Sequence, residues 1–241
     1  MFVAAIRSLV AYVAALAYIA VVGPLGLVIA KVFRWKNGLY ALGRGGVWLA
    51  LTLVGIRYKV AGKERVPPGA AVYCSNHESN VDPPVLFHAL HPRLHVLYKA
   101  ELHKFPIMGT IFDVGGFVPV DRGDRDKALA SIGQGAASLR AGNSFLIFPE
   151  GTRSRTGQLL PFKKGGFIMA IDAQVPIIPV AVQGGRASMR KGSWFVRPVH
   201  VSVRIGTPIP TAGLTIADRD HLIARVRDEV QKLIEQGPVW T

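Results

Sequence analysis

The chain reads as an α/β domain, a mixed β-sheet flanked by helices, carried behind an N-terminal apolar membrane-anchoring helical segment. Two patterns predict this. Beyond about Arg57, short apolar runs alternate with stretches at helical spacing. Before it, residues 8–30 carry no charge. A third observation narrows the class: one cysteine, Cys74, in 241 residues excludes a disulfide framework or a cysteine-rich zinc module and fits a cytosolic redox setting. The boundary falls at 56/57. Residues 1–56 form the membrane-associated helical segment and 57–241 the α/β domain.

Taken in order, Ser8–Ala30 as one helix would be about 34 Å long, enough to cross a hydrocarbon core of roughly 30 Å. Gly23-Pro24 interrupts it, and Ser8–Val22 alone reaches only about 22 Å. A second apolar run, Val47–Ile56, is shorter still. Two arrangements follow: a kinked single span, or a helical hairpin dipping into one leaflet. Lys31, Arg34, Lys36 and Arg44, with Trp35 and Trp48, suit an anchor on an anionic cytoplasmic leaflet. A cleaved signal peptide ending near Ala15-Leu16-Ala17 fits less well, because the apolar run continues past that site.

In the body, Ala71–Ser75, Val96–Lys99, Phe117–Val120, Ser144–Phe148 and Ile177–Val182 read as strands. Val199, Val201, Val203 and Ile205 alternate with polar residues, the pattern of a half-buried strand. Asp126–Ala141 places Leu129, Ile132, Ala136 and Leu139 on one helical face and ends at Gly142. A last helix opens at Thr215, with Asp218 at capping-box spacing. The glycine-rich dinucleotide and phosphate-loop signatures are absent, as is GxSxG.

The net charge is +14. A basic chain invites a nucleic-acid reading. Here eight basic residues precede the first acidic one, Glu64, and that acid-free region is also the apolar one. The charge therefore points to a membrane surface, and nucleic acid is not expected as a partner.

Two residue clusters follow strand ends, where α/β sheets place ligands. The first is Asn76-His77-Glu78-Ser79-Asn80-Val81-Asp82. His77 is suited to move a proton near neutral pH, and Asp82 could fold back onto its Nδ1–H. Taken alone, Asp82-Pro83-Pro84 reads rather as a helix N-cap followed by proline at N1. No serine nucleophile accompanies the pair, so a hydroxyl belonging to a substrate is the group such a dyad could activate. The second cluster is Phe148-Pro149-Glu150-Gly151-Thr152-Arg153-Ser154. Gly151 permits close backbone approach, Thr152 and Ser154 supply hydroxyls, and Arg153 supplies a planar fork for phosphate. Glu150 could hydrogen-bond a polyol or hold Arg153. Arg122, at the end of Phe117–Val120, adds a further cation, and Lys99 ends another strand. His88, His91 and His95 have no cysteine or carboxylate companion and share no helix across Pro92, so no metal site is expected. Cys74 reads as an inward-facing strand residue rather than an acyl-carrying nucleophile.

These residues resemble the glycerolipid acyltransferase superfamily, most closely its 1-acyl-sn-glycerol-3-phosphate (lysophosphatidate) acyltransferases. The likeness spans roughly Val72 to Gly184, with four blocks in the family order. Asn76-His77 through Asp82 matches NHxxxxD, Phe117 through Arg122 the arginine-bearing second block, Phe148 through Ser154 the FPEGTRS block, and Val175 through Val180 the proline-containing fourth. The resemblance implies His77 as general base and Asp82 as its orienting partner, overriding the plain N-cap, although Asp82 could still touch its helix N-terminus. It implies Arg122, Glu150, Gly151, Thr152 and Arg153 as the site for the acceptor's glycerol phosphate, with Lys99 assisting. The implied partners are lysophosphatidate, an acyl thioester on coenzyme A or acyl carrier protein, and membrane lipids. No cofactor or metal is implied, since a thioester is already activated. Two other readings are weighed: the same chemistry on glycerol 3-phosphate, another lysophospholipid or a lyso-amino-acid lipid, and a non-catalytic basic membrane adaptor.

Overall fold

The computed structural model describes residues 2–90, 93–121, 123–154, 156–189 and 193–240. Helix α1 (Phe2–Val32) runs through Pro24 without a break, so the expected interruption at Gly23-Pro24 does not occur. A proline forfeits one helical hydrogen bond. In apolar surroundings, however, an opened backbone has no better partner, and the helix persists. Gly23 has a separate use. A Cβ there would lie 3.2 Å from Ile111 and 3.3 Å from Ile107, on helix α4 (Pro106–Gly115), which packs against α1. The chain turns instead near Arg34, at φ 53°, and α2 (Lys36–Val54) returns along α1. The segment is thus a helical hairpin, turning ten residues later than the glycine-proline pair. By length and composition α1 could cross a membrane.

The hairpin is stitched to the body. Ala11 is buried in the core. The Val196 N–H donates to Ser8 Oγ (2.8 Å), and the Tyr12 hydroxyl donates to the Trp194 carbonyl (2.7 Å). The segment thus supplies atoms to the core of the body.

The body follows as β1 (Ile56–Ala61), β2 (Val72–Ser75), α3 (Asp82–Ala89), β3 (Leu94–Lys99), then α4, β4 (Val118–Val120), α5 (Arg125–Arg140), β5 (Ser144–Ile147), α6 (Gly165–Ala173), β6 (Ile177–Gln183), α7 (Gly185–Ser188), β7 (Val199–Ile205) and α8 (Arg219–Glu235). The strands form one mixed sheet in the order β1-β7-β6-β2-β5-β3-β4. Every neighbouring pair is parallel except β6 and β7. Alternate side chains of the strands feed two cores. Tyr73, Leu146 and Ile178 pack with α3 and the hairpin, while Cys74, Phe145 and Ile177 pack with α5, α6 and α8. The result is three layers with the sheet in the middle.

Local chemistry explains the ends. Asp124 caps α5 by accepting the N–H groups of Asp126 and Lys127. Thr215 and Asp218 form the expected capping box, but it opens a short 3-10 turn, and α8 itself begins at Arg219.

Candidate active site

Strands β2, β3, β4, β5 and β6 run in the same direction, so their carboxyl ends share one rim of the sheet. That rim gathers the loops following β2 and β5 side by side. The two are bound together: the Ser154 N–H donates to the His77 carbonyl (2.8 Å), and the His77 N–H donates to Glu150 Oε1 (2.8 Å). Asn76 pins the same turn to β6, with its Nδ2 donating to the Val182 carbonyl (2.9 Å) and its Oδ1 accepting the Val182 N–H (2.7 Å).

His77 Nδ1 lies 2.9 Å from Asp82 Oδ2. The same oxygen accepts the N–H groups of Glu78 and Ser79, both at 2.6 Å. Asp82 is fully buried, and its other oxygen, packed toward Gly185, takes no hydrogen bond. All of its hydrogen bonding is therefore spent on the His77 turn. It is the first residue of α3, whose N-cap is Val81, and it makes no side-chain bond to the helix terminus. The N-cap reading is thus replaced, and so is the expected second contact with the helix end. Donation from Nδ1–H leaves Nε2 as the basic ring nitrogen. The imidazole stacks on Phe148, with centroids 4.2 Å apart, which fixes its plane.

Glu150 does not face the cavity as a substrate contact would. It is 4% exposed, and its two oxygens accept the N–H groups of His77 and Leu160 (2.8 and 3.0 Å). It braces the two loops, and burial raises its pKa. Gly151 sits at φ +67°, and a Cβ there would press on the Lys163 side chain at 2.8 Å. His77, Lys99, Gly151, Thr152 and Arg153 all line one cavity of about 990 Å³. Lys99 also pairs with Glu101 at 2.8 Å. Arg122 lies outside the described residues, as does His91. His95 is buried against Phe145 and Phe117, whereas His88 bonds the Tyr58 hydroxyl. Among the described residues no cluster suited to a metal occurs. Cys74 is fully buried, with its thiol pKa raised by burial.

The rest of the cavity was not foreseen. Tyr18, Ile19 and Val22 of α1, Leu39 and Leu42 of α2, and Met108, Ile111 and Phe112 of α4 wall its far end. Their apolar character was visible in the sequence, but their convergence on His77 depends on the hairpin folding back. Glu78 was also passed over. It sits beside the dyad with its pKa pushed up to about 7, first by burial and then by Asp82, against the pull of Arg186 and the Gly184 N–H.

A histidine-carboxylate pair at the rim of a mixed α/β sheet, beside a largely apolar cavity that Lys99 and Arg153 also line, is an arrangement able to move a proton next to an apolar ligand. Comparison narrows the chemistry. A family model described as Acyltransferase matches residues 57–183, and the chain belongs to the acyltransferase family. The 1-acyl-sn-glycerol-3-phosphate acyltransferase of Limnanthes douglasii is 31% identical over 84% of this chain and 74% of its own length. That of Pseudomonas aeruginosa is 32% identical over 88% and 83% respectively. The crystal structure of the 1-acyl-sn-glycerophosphate acyltransferase PlsC from Thermotoga maritima superposes with a TM-score of 0.82, at 25% identity, over 96% of this chain and 94% of that one.

Proposed function

We propose that this chain transfers a fatty acyl group from an acyl thioester to the sn-2 hydroxyl of lysophosphatidate, forming phosphatidate for phospholipid synthesis. The observation that carries the reading is position: His77, held by Asp82, lines one cavity together with Thr152, Arg153 and Lys99 and with apolar residues of α1, α2 and α4. The polar residues suit a glycerol phosphate, and the apolar ones suit an acyl chain. Relatives from a plant and a bacterium, both called 1-acyl-sn-glycerol-3-phosphate acyltransferases, support the acceptor.

His77 Nε2 takes the proton of the sn-2 hydroxyl, and the oxygen forms a bond to the thioester carbonyl carbon. Asp82 stabilises the imidazolium so formed. The tetrahedral intermediate collapses, the carbon–sulfur bond breaks, and His77 returns its proton to the departing thiolate. Coenzyme A and acyl carrier protein both present negative charge, which a +14 chain attracts. The basic residues near the α1–α2 turn support a seat on the cytoplasmic face of the cell membrane.

The test is His77→Ala, which should lower turnover by roughly 10²–10⁴-fold while leaving the circular-dichroism spectrum unchanged. Near-normal turnover by the folded variant would exclude His77 as base. An acceptor panel against one acyl-CoA, read by product mass, should favour lysophosphatidate. Preference for glycerol 3-phosphate or an amino-acid lyso-lipid would reassign the acceptor while keeping the chemistry.

A further inference from the structure

One loop of the body stands out where it meets the hairpin. Between α7 and β7 the chain carries Trp194 at 81% exposure and Phe195 at 45%. The backbone beneath these rings is fixed. The Trp194 carbonyl accepts the Tyr12 hydroxyl of α1 (2.7 Å). Val196 is buried in the core that the hairpin shares, and its N–H donates to Ser8 Oγ (2.8 Å). Arg197 is bracketed by Ser188: its N–H donates to the Ser188 carbonyl (3.0 Å), and its own carbonyl accepts the Ser188 hydroxyl (2.8 Å). Two large rings are thus held outside the body by a backbone tied to α1 and α7.

The adjoining helix says what covers them. On α1, Leu9 and Leu16 neighbour Tyr12 at helical spacing, and both are exposed, as are Val10 and Val13. The uncharged run of residues 8–30 begins at this point, directly after Arg7. Aromatic rings at the boundary between a cation and a long apolar helix occupy the level of a membrane–water interface. A protein partner draws its register from paired charges, and residues 8–30 offer none. A bilayer needs only the apolar surface.

We propose that Trp194 and Phe195 form a second membrane contact, entering the interfacial layer of the bilayer beside α1, so that the α/β body touches lipid as well as the hairpin. This rests on the reading of α1 as a membrane anchor. The far face of β7 sets the opposite side of the molecule. There Trp240 stacks on His200, with centroids 4.5 Å apart, and the Lys59 ammonium lies 4.3 Å from its ring. His200 alternates with Val201, which belongs to the core shared with the hairpin, so Trp240 lies on the sheet face turned away from it. The body therefore sits with Trp194 toward lipid and Trp240 toward water.

The test reads single tryptophans of the full chain in vesicles of phosphatidylcholine and phosphatidylglycerol, with or without bromine on the acyl chains near the glycerol. Bromine quenches indole only at near contact. Trp35→Phe/Trp48→Phe/Trp240→Phe leaves Trp194 as the reporter, and Trp35→Phe/Trp48→Phe/Trp194→Phe leaves Trp240. Trp194 should lose most of its emission to the brominated lipid, and Trp240 almost none. If the triple substitutions disturb folding, the difference between the parent and Trp194→Phe gives the same quantity, since the other three tryptophans cancel. Flotation of the same samples with the vesicles reports the anchor separately. A protein that floats while Trp194 stays unquenched overturns the proposal and leaves the anchor standing. A protein that does not float overturns both. Equal quenching of Trp194 and Trp240 overturns the stated orientation. Trp194 emission that ignores bromine but shifts to the blue as protein density in the bilayer rises would put a second copy on the loop and overturn the lipid assignment. None of these readouts depends on acyl transfer.

Discussion

His77 and Asp82 are five residues apart, and a tight turn closed by two backbone N–H groups brings them to 2.9 Å. That pairing was legible in the sequence because it is local. Glu150 was not, because the direction of a carboxylate in a loop depends on which N–H groups the neighbouring loop offers, here those of His77 and Leu160. Arg153, which does line the cavity, carries a sharper expectation. Arg153→Ala should raise KM for the phosphorylated acceptor about ten- to a hundredfold, the worth of a charge-assisted hydrogen bond, with a smaller change in kcat. An unchanged KM would remove Arg153 from the phosphate site. Glu78 gives a pH signature. Its carboxyl titrates near 7 in the folded chain against 4.5 unfolded. The folded state therefore favours the protonated form, and the stability so gained is present below pH 4.5 and lost as pH rises through 7. Glu78→Gln should stabilise the protein by up to about 3 kcal/mol at pH 8 and by little at pH 4.5, read by denaturant unfolding at both. Equal shifts at the two pH values would show that Glu78 is not the titrating group.

At the scale of elements, the apolar runs located six of the seven strands within a residue or two. The seventh, β1, alternates Ile56, Tyr58 and Val60 with charged residues and was hidden by the apolar run ahead of it. Helix α6 escaped for a related reason: it is short, apolar nearly all round and largely buried, so it shows little amphipathic contrast. Pro24 misled because its cost is set by its surroundings rather than by the residue alone. Gly23 and Ile111 meet where α1 packs on α4, and both line the cavity that holds His77. Gly23→Leu should force the helices apart, costing about 1–3 kcal/mol by overpacking. It should also change the rate ratio between long-chain and short-chain acyl donors. Thermal unfolding in detergent and competition between two donors measure both, and an unaltered donor ratio would detach this contact from chain selection.

For the whole molecule, the α/β architecture and an N-terminal helix long and apolar enough to cross a membrane could be read from the sequence, but the way hairpin and sheet join could not, since it depends on contacts far apart in sequence. His95 of β3 is one such joint, stacked on Tyr40 of α2 and edge-on to Phe145 of β5. Burial, helped by Lys36 and Arg93, lowers its pKa from 6.5 to about 4. The unfolded chain takes up that proton below 6.5 and the folded chain only near 4. Stability should thus fall by about 3 kcal/mol as pH drops through that window. His95→Phe should flatten this part of the acid profile, and identical profiles would clear His95 of the effect.

The pairing of β1 with β7 also orders events in time. Ile56 must wait for Val199, 143 residues further on, which at about 5–20 residues per second is roughly 7–30 s of synthesis. By the end of that interval the apolar hairpin has left the ribosome, while the strand that closes the sheet edge is only then complete. An apolar hairpin exposed that early needs a bilayer or a chaperone as cover before the sheet can close.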